Sequence, residues 1–212
     1  MKSNINKEID VLFETLENRD SEYKNHLVKD GIINEDIFIS ENKKVLFICK
    51  EPNNPKKKQW DFREWWKTEL KHIFAHRIGS WAYGLLENFP PHNSISKSVK
   101  FNSLSRIAFI NIKKLGGTSK SSKSDIEEHA IRNQDILQKQ IKLINPDIIV
   151  LGISWWSNAR NIIFQGYEHQ IVADYVHKYD HHLVINFYHP STHGKSNLYL
   201  YNELNRLVNS NQ

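Results

Sequence analysis

The chain has 212 residues, of which 39% are hydrophobic and 25% charged, a balance that fits one medium globular domain and excludes a disordered chain. Its one cysteine, Cys49, rules out an intrachain disulfide, a thiolate zinc cluster and a four-cysteine iron–sulfur cluster. The net charge of +5 and a pI near 9.1 point weakly to an anionic partner.

No apolar run approaches the roughly 20 residues of a membrane helix, and the polar, mixed-charge stretch Met1 to Asp10 does not read as a signal peptide. The expectation is a cytoplasmic monomer that does not engage membranes.

In chain order, Ile5, Ile9, Leu12, Phe13 and Leu16 recur at helical spacing, and the part up to about residue 42 is expected to be helical. Val45-Leu46-Phe47-Ile48-Cys49 is a continuous apolar run between polar flanks, the profile of a strand buried on both faces. The basic cluster Lys56-Lys57-Lys58 follows it. Glu64 to Phe89 is aromatic-rich and expected to be helical in part. Ile107-Ala108-Phe109-Ile110 is a second buried run, and the low-complexity stretch Gly116 to Ser124 behind it reads as a mobile loop. Ser124-Asp125-Ile126-Glu127 reads as a capping box. It opens one helix whose stripe is Ile126, Ala130, Leu137, Ile141 and Ile144, ended by Asn145-Pro146. Ile148-Ile149-Val150-Leu151 and Leu183-Val184-Ile185-Asn186-Phe187 are the third and fourth runs, with a short helix expected over Ser157 to Phe164 and a closing helix over Asn197 to Val208. This alternation predicts an α/β fold, a single-domain three-layer α/β/α sandwich over 1–212 around a mostly parallel sheet of about four strands.

Charge is unevenly placed. Ser94 to Ser124 holds Lys97, Lys100, Arg106, Lys113, Lys114, Lys120 and Lys123 and no acidic residue. The remainder carries 22 basic against 24 acidic residues. The whole surplus lies in one segment, interleaved with small polar residues that suit phosphate contacts or a solvated loop.

Ligands of such sheets bind beyond the carboxyl ends of the strands. The residues there are Lys50-Glu51-Pro52-Asn53 after the first run, Asn111 and Lys113-Lys114 after the second, Gly152 to Trp156 after the third, and Tyr188-His189-Pro190-Ser191-Thr192-His193 after the fourth. A carboxylate, a carboxamide and a histidine thus meet at one edge. Glu51 is suited to stabilise a developing cation or orient a water. Asn111 offers a donor and an acceptor side by side for an amide-like base edge. His189 is suited to donate to an oxygen that becomes anionic as a base leaves. Cleavage of an N-glycosidic bond needs these three functions.

In these residues the sequence resembles the uracil-DNA glycosylase superfamily. Cys49-Lys50-Glu51-Pro52-Asn53 corresponds to the family's first motif, with Glu51 at the catalytic Asp or Asn. Phe109-Ile110-Asn111 corresponds to the strand ending in a pyrimidine-reading Asn, and His189-Pro190-Ser191-Thr192 to the His-Pro-Ser-Pro motif. Asn145-Pro146-Asp147 and the run up to Gly152 look like the family's third strand, so the landmarks span Val45 to Gly194.

The resemblance implies a monofunctional DNA N-glycosylase that flips a nucleotide and needs no cofactor or metal. Glu51 and His189 would be catalytic, and Cys49, Lys50, Asn53, Phe62 and Asn111 would contact the base. Phe62 competes with Trp60, Trp65 and Trp66 for the stacking position. Pro91, in Pro90-Pro91-His92-Asn93-Ser94, together with Lys113, Lys114, Ser191, Thr192, His193 and Lys195, would contact DNA.

The departures from the family are informative. Cys49 replaces the motif glycine. Asn53 replaces the tyrosine that blocks a pyrimidine 5-substituent, which implies uracil-like or 5-modified bases, hypermodified phage bases among them. His193 stands where classical members have a leucine wedge. DNA repair and phage defence both fit such an activity. A Schiff-base lyase step through Lys50 is a lesser option. The alternatives are a non-catalytic nucleic-acid-binding module on the same fold and a nucleoside or nucleotide hydrolase.

Overall fold

The computed structural model describes residues 4–68 and 70–209. In chain order its elements are α1 (Ile5–Arg19), α2 (Tyr23–His26), β1 (Val28–Lys29), β2 (Gly31–Ile32), α3 (Glu35–Ser40), β3 (Val45–Cys49), β4 (Trp60–Asp61), α4 (Phe62–Trp65) and α5 (Ile73–Leu86). After a 3-10 turn at His92–Ser94 come α6 (Lys97–Leu104), β5 (Ala108–Asn111), α7 (Lys123–Arg132), α8 (Gln134–Ile144), β6 (Ile148–Leu151) and α9 (Ser157–Ile163). The chain ends with β7 (His169–Ala173), β8 (Val176–Tyr179), β9 (His182–Asn186) and α10 (Asn197–Asn209).

The four apolar runs form the middle of the sheet, in the order β5-β3-β6-β9 and all parallel. The sheet is larger than the expected four strands and is mixed. It has seven strands, ordered β2-β5-β3-β6-β9-β8-β7, with β2 antiparallel to β5 and the β7–β8 hairpin antiparallel beside β9. A separate parallel pair joins β1 to β4. The N-terminal part is therefore not purely helical, because Val28–Ile32 contributes one strand to each sheet.

Alternate residues of the parallel strands enter two hydrophobic cores, one on each face, as a two-residue side-chain period requires. Leu46, Ile48, Ala108, Ile110, Ile149 and Leu151 pack with α1, α7, α8 and α9. Val45, Phe47, Cys49, Phe109, Ile148 and Val150 pack with α5, α6 and α10. Helices thus cover both faces of the sheet. No helix among the described residues is long and apolar enough to cross a membrane.

Two local expectations shift. The cap before α7 is the Ser122 side chain, which accepts from the Asp125 amide, so that helix starts ahead of the Ser124 box. The single long helix expected up to Ile144 is broken at Asn133. There the carboxamide donates to the buried Tyr23 hydroxyl at 2.7 Å, a tertiary contact that fixes the break. Asn145 then ends α8 in the left-handed conformation (φ 49°), a role asparagine fills more readily than most residues.

Candidate base-binding site

A cavity of about 360 Å3 opens at the carboxyl edge of the parallel strands. It is built from three polar strand-end residues and an aromatic wall. Glu51 follows β3, Asn111 ends β5, and His189 lies three residues past β9; Asn53 and Ser191 stand at the rim. Trp60, Phe62, Trp65 and Phe74 also line the cavity and form its aromatic wall, Phe74 with its ring beside that of His189 (5.8 Å between centroids). The wall is held from behind. Phe62 stacks on Phe109 (4.9 Å between ring centroids, 23°). The Asp61 side chain caps α4, and Arg63 bonds both Asp61 and Asp10 of α1 at 2.6 and 2.9 Å. Burial works against the Arg63 charge, but the two carboxylates outweigh it and raise the guanidinium pKa, so the charge is kept.

Glu51 is nearly enclosed, its side chain 4% exposed. Its carboxylate faces the Lys113 ammonium at 3.3 Å, and Lys113 is shared with Asp125 at 2.6 Å. Gly117 lies against the carboxylate so closely that a Cβ there would collide with it, and a Cβ at Gly116 would collide with the Asn54 carbonyl oxygen. Gly117 is also bonded to the loop after β3: its amide donates to the Pro52 carbonyl (2.9 Å), and its carbonyl accepts from the Asn54 amide (3.0 Å). The expected mobile loop is therefore pinned at its start, and its exposed part begins at Thr118.

Asn111 is 1% exposed, and its side-chain Nδ2 has no partner. A buried unpaired donor is costly, and this one borders a cavity where a ligand carbonyl would satisfy it. Its main chain is fixed from the other side, where the Asn111 amide donates to Asp30 Oδ2 at 2.8 Å. Asp30 is itself buried with Lys114 and Gln140. Lys114 Nζ donates to Asp30 Oδ1 and to Gln140 Oε1, both at 2.8 Å, and Gln140 Nε2 donates to Asp30 Oδ1 at 2.8 Å.

His189 has a defined proton. The Ser191 amide donates to its Nδ1 at 3.1 Å, so the ring is an acceptor there and its Nε2–H remains as donor. Burial, with the Lys50 charge adding to it, pushes the imidazole down to about 4. At neutral pH the ring is neutral with a fixed tautomer, and its Nε2–H can donate to a developing oxyanion while Nδ1 accepts from the Ser191 amide.

The loop that carries His189 is clamped by Arg77 of α5. Its guanidinium donates to the carbonyls of Pro190 (2.8 Å), Thr192 (2.7 Å) and Lys195 (2.9 Å) and to the Asn197 side chain (2.8 Å). Arg77 is 6% exposed and faces no carboxylate among the described residues, so its positive charge stays at the loop. Nothing in the sequence singled out Arg77, because its four acceptors lie more than 110 positions downstream.

The other expected site residues divide. Lys114 is corrected: it is 1% exposed and ion-paired with Asp30, so its ammonium cannot reach a DNA phosphate. Cys49 is also corrected. Its side chain lies in the core against Gly152, away from the cavity, and burial pushes its thiol upward. Lys50 does not line the cavity; its ammonium sits 3.8 Å over the Trp156 ring, and burial lowers its basicity. Lys113 is committed to Glu51 and Asp125. Trp66 is buried behind the wall. Pro91 is exposed at the 3-10 turn, outside the cavity lining, and His193 and Lys195 are exposed on the clamped loop beside half-buried Ser191 and Thr192. The basic segment is less available than its count suggests, since Arg106 pairs with Glu41 and Glu87, and Lys123 with Glu127. Lys56, Lys57 and Lys58 are exposed and pair with no carboxylate among the described residues.

Compared with known proteins, the chain matches no family model and no curated protein.

Proposed function

We propose that the chain is a monofunctional DNA N-glycosylase of the uracil-DNA glycosylase type, with the α/β/α architecture of that superfamily, acting on a flipped uracil-like or 5-modified pyrimidine. The observation that carries this reading is the meeting, in one aromatic-walled cavity, of an enclosed carboxylate, an unpaired carboxamide donor and a neutral histidine with its Nε2–H free. The cavity volume is in the range of small-ligand sites, and its one aromatic side suits a planar heterocycle.

In this mechanism the base enters against Phe62 and its neighbours, and Asn111 Nδ2 donates to a ring carbonyl. As the C1′–N bond breaks, its electron pair leaves with the base. The Nε2–H of His189 stabilises the oxygen on which that charge collects. Glu51 faces the cationic sugar, orients a water for attack at C1′ and takes up the proton the water releases. No step calls for a metal or organic cofactor. Lys56, Lys57, Lys58 and Lys195, with the Arg77-charged loop, supply cationic groups around the mouth for the phosphates.

The test is base release, followed by mass spectrometry and by alkaline cleavage at abasic sites. Substrates are oligonucleotides carrying uracil, hypoxanthine or glucosylated hydroxymethylcytosine, with free nucleosides alongside. The expected result is release from at least one modified oligonucleotide, abolished in folded Glu51→Gln and His189→Ala. DNA binding with no release from any substrate refutes the enzyme, and turnover of free nucleosides alone identifies a nucleoside hydrolase instead.

A further inference from the structure

Beside the cavity, along the same edge of the sheet, aromatic side chains from four separate segments gather, three of them exposed and Tyr188 half-buried. Trp155 follows β6, Tyr175 forms the β7–β8 turn, Tyr188 follows β9, and Tyr199 lies in the first turn of α10. Trp155 is 44%, Tyr175 47% and Tyr199 43% exposed. The Trp155 ring touches Tyr175 (centroids 4.3 Å apart, 45°) and Tyr188 (5.1 Å, 75°), and Tyr199 adjoins the Tyr188 phenol. Ser154 and Tyr175 both adopt left-handed backbone (φ 61° and 65°), so two segments accept an unfavourable conformation at the points where these rings are presented. Elsewhere the described aromatic side chains are mostly packed into the two cores or the cavity wall, which makes this group of exposed rings distinct.

Cations accompany the rings. Lys195 Nζ lies 4.6 Å over the Tyr199 ring, and Lys50 Nζ lies over Trp156, the neighbour of Trp155. Of the nearby carboxylates, Glu203 is neutralised by Arg206 at 2.7 Å, and Asp174 is exposed in the hairpin turn. Tyrosine and tryptophan rings beside ammonium groups match a polymer of planar bases joined by anions. Bases paired within a duplex offer no free face to such rings; bases of a single strand do. In the sheet order Trp155 follows β6, Tyr188 follows β9 and Tyr175 precedes β8, whereas Glu51 follows β3. Two strand spacings are roughly 10 Å, a reach of one or two nucleotides.

We propose that Trp155, Tyr175, Tyr188 and Tyr199 form a stacking platform for unpaired nucleobases that flank the nucleotide in the cavity, so that single-stranded nucleic acid is the preferred partner. This deepens the base-excision reading and takes its biological sense from it. Its test uses unmodified strands and needs no base release.

The experiment measures the affinity of the full chain for a fluorescently labelled single-stranded dT15, for the corresponding duplex, and for a dT15 in which five central bases are replaced by abasic spacers. The wild type is expected to prefer dT15 to both. Trp155→Ala is expected to weaken dT15 binding about fivefold or more, and to bind dT15 and the abasic strand almost alike. Tyr199→Ala and Tyr175→Asn, the latter compatible with positive φ, give the same pattern to a lesser degree and stand in if Trp155→Ala melts below the wild type. Unchanged dT15 affinity in the folded variants, equal affinity for strand and duplex, or an equal loss on the abasic strand overturns the platform, as does failure of the wild type to bind dT15, the result a protein-docking surface would give. Stacking without base release from any modified strand refutes excision alone; release with no contribution from these rings refutes the platform alone.

Discussion

Replacing Arg77 by methionine keeps most of the buried stem and removes every donor. The guanidinium makes four hydrogen bonds within 2.7–2.9 Å, three of them to main-chain carbonyls between Pro190 and Lys195. A bond from a charged donor contributes about 1.5–3 kcal/mol, but four such terms do not add, because the loop's outer carbonyls can turn to water once released. Only the Pro190 bond is fully buried, and a buried acceptor left unsatisfied costs about 1–3 kcal/mol, so with the partly buried bonds the expected loss is about 2–4 kcal/mol. The functional effect is separable. Pro190 adjoins His189, and a displacement of about 1 Å at a reacting group costs on the order of 100-fold in rate. Lysine has three donors and no planar fork, so Arg77→Lys is expected to fall between methionine and wild type in both respects. Urea unfolding gives the stability, and single-turnover base release, measured well below the unfolding midpoint, gives the rate. A methionine variant with wild-type midpoint and wild-type release would show that the loop holds its shape without the clamp.

Gly117→Ala is expected to reduce base release by about 100-fold while costing only about 1–3 kcal/mol, because the new methyl must displace the Glu51 carboxylate rather than core packing; a fully active alanine variant would place that carboxylate elsewhere. Lys114→Met leaves Asp30 buried without its cation and is expected to cost about 3–5 kcal/mol. Pairing it with Asp30→Asn should recover part of that loss, and a double-mutant cycle with no coupling would refute the network. His129, His177 and His189 are each pushed down to about 4, mainly by burial. The unfolded chain, whose histidines titrate near 6.5, therefore takes up protons first as pH falls. Stability should be full above about pH 6.5 and decline toward pH 4 with a slope of at most about 4 kcal/mol per pH unit, and urea midpoints that stay constant between pH 7 and pH 5 would contradict these assignments.

The parts of the fold legible from sequence were those with local, repetitive signals. The four parallel strands are continuous apolar runs because both faces are covered, and α1, α9 and α10 follow helical spacing within a few residues. The strand-end rule then placed Glu51, Asn111 and His189 on one edge, and they do share a cavity. The edge strands were not legible. β2 is two residues long, and β7 (His169–Ala173) is mostly solvent-exposed with no clean alternation, so neither carries the hydrophobic period that marks a strand. Lys114 was misread for a different reason. A lysine after a strand is usually solvated, and only the fold brings Asp30 to it from 84 positions away. The same kind of non-local pairing hid Arg77 and tied Arg106 and Lys113 to carboxylates.

The contact between Glu51 and Gly117 links two choices that look independent along the chain. A glutamate carboxylate reaches the space where a side chain at 117 would stand. An aspartate at position 51, one methylene shorter, would withdraw from that space and leave room for alanine or serine at 117. In homologous chains these two positions should therefore vary together: glutamate with glycine, and the shorter acid or amide with freedom at the second site. A chain that carried glutamate at the first position and a larger residue at the second would need a different course for the loop after Leu115.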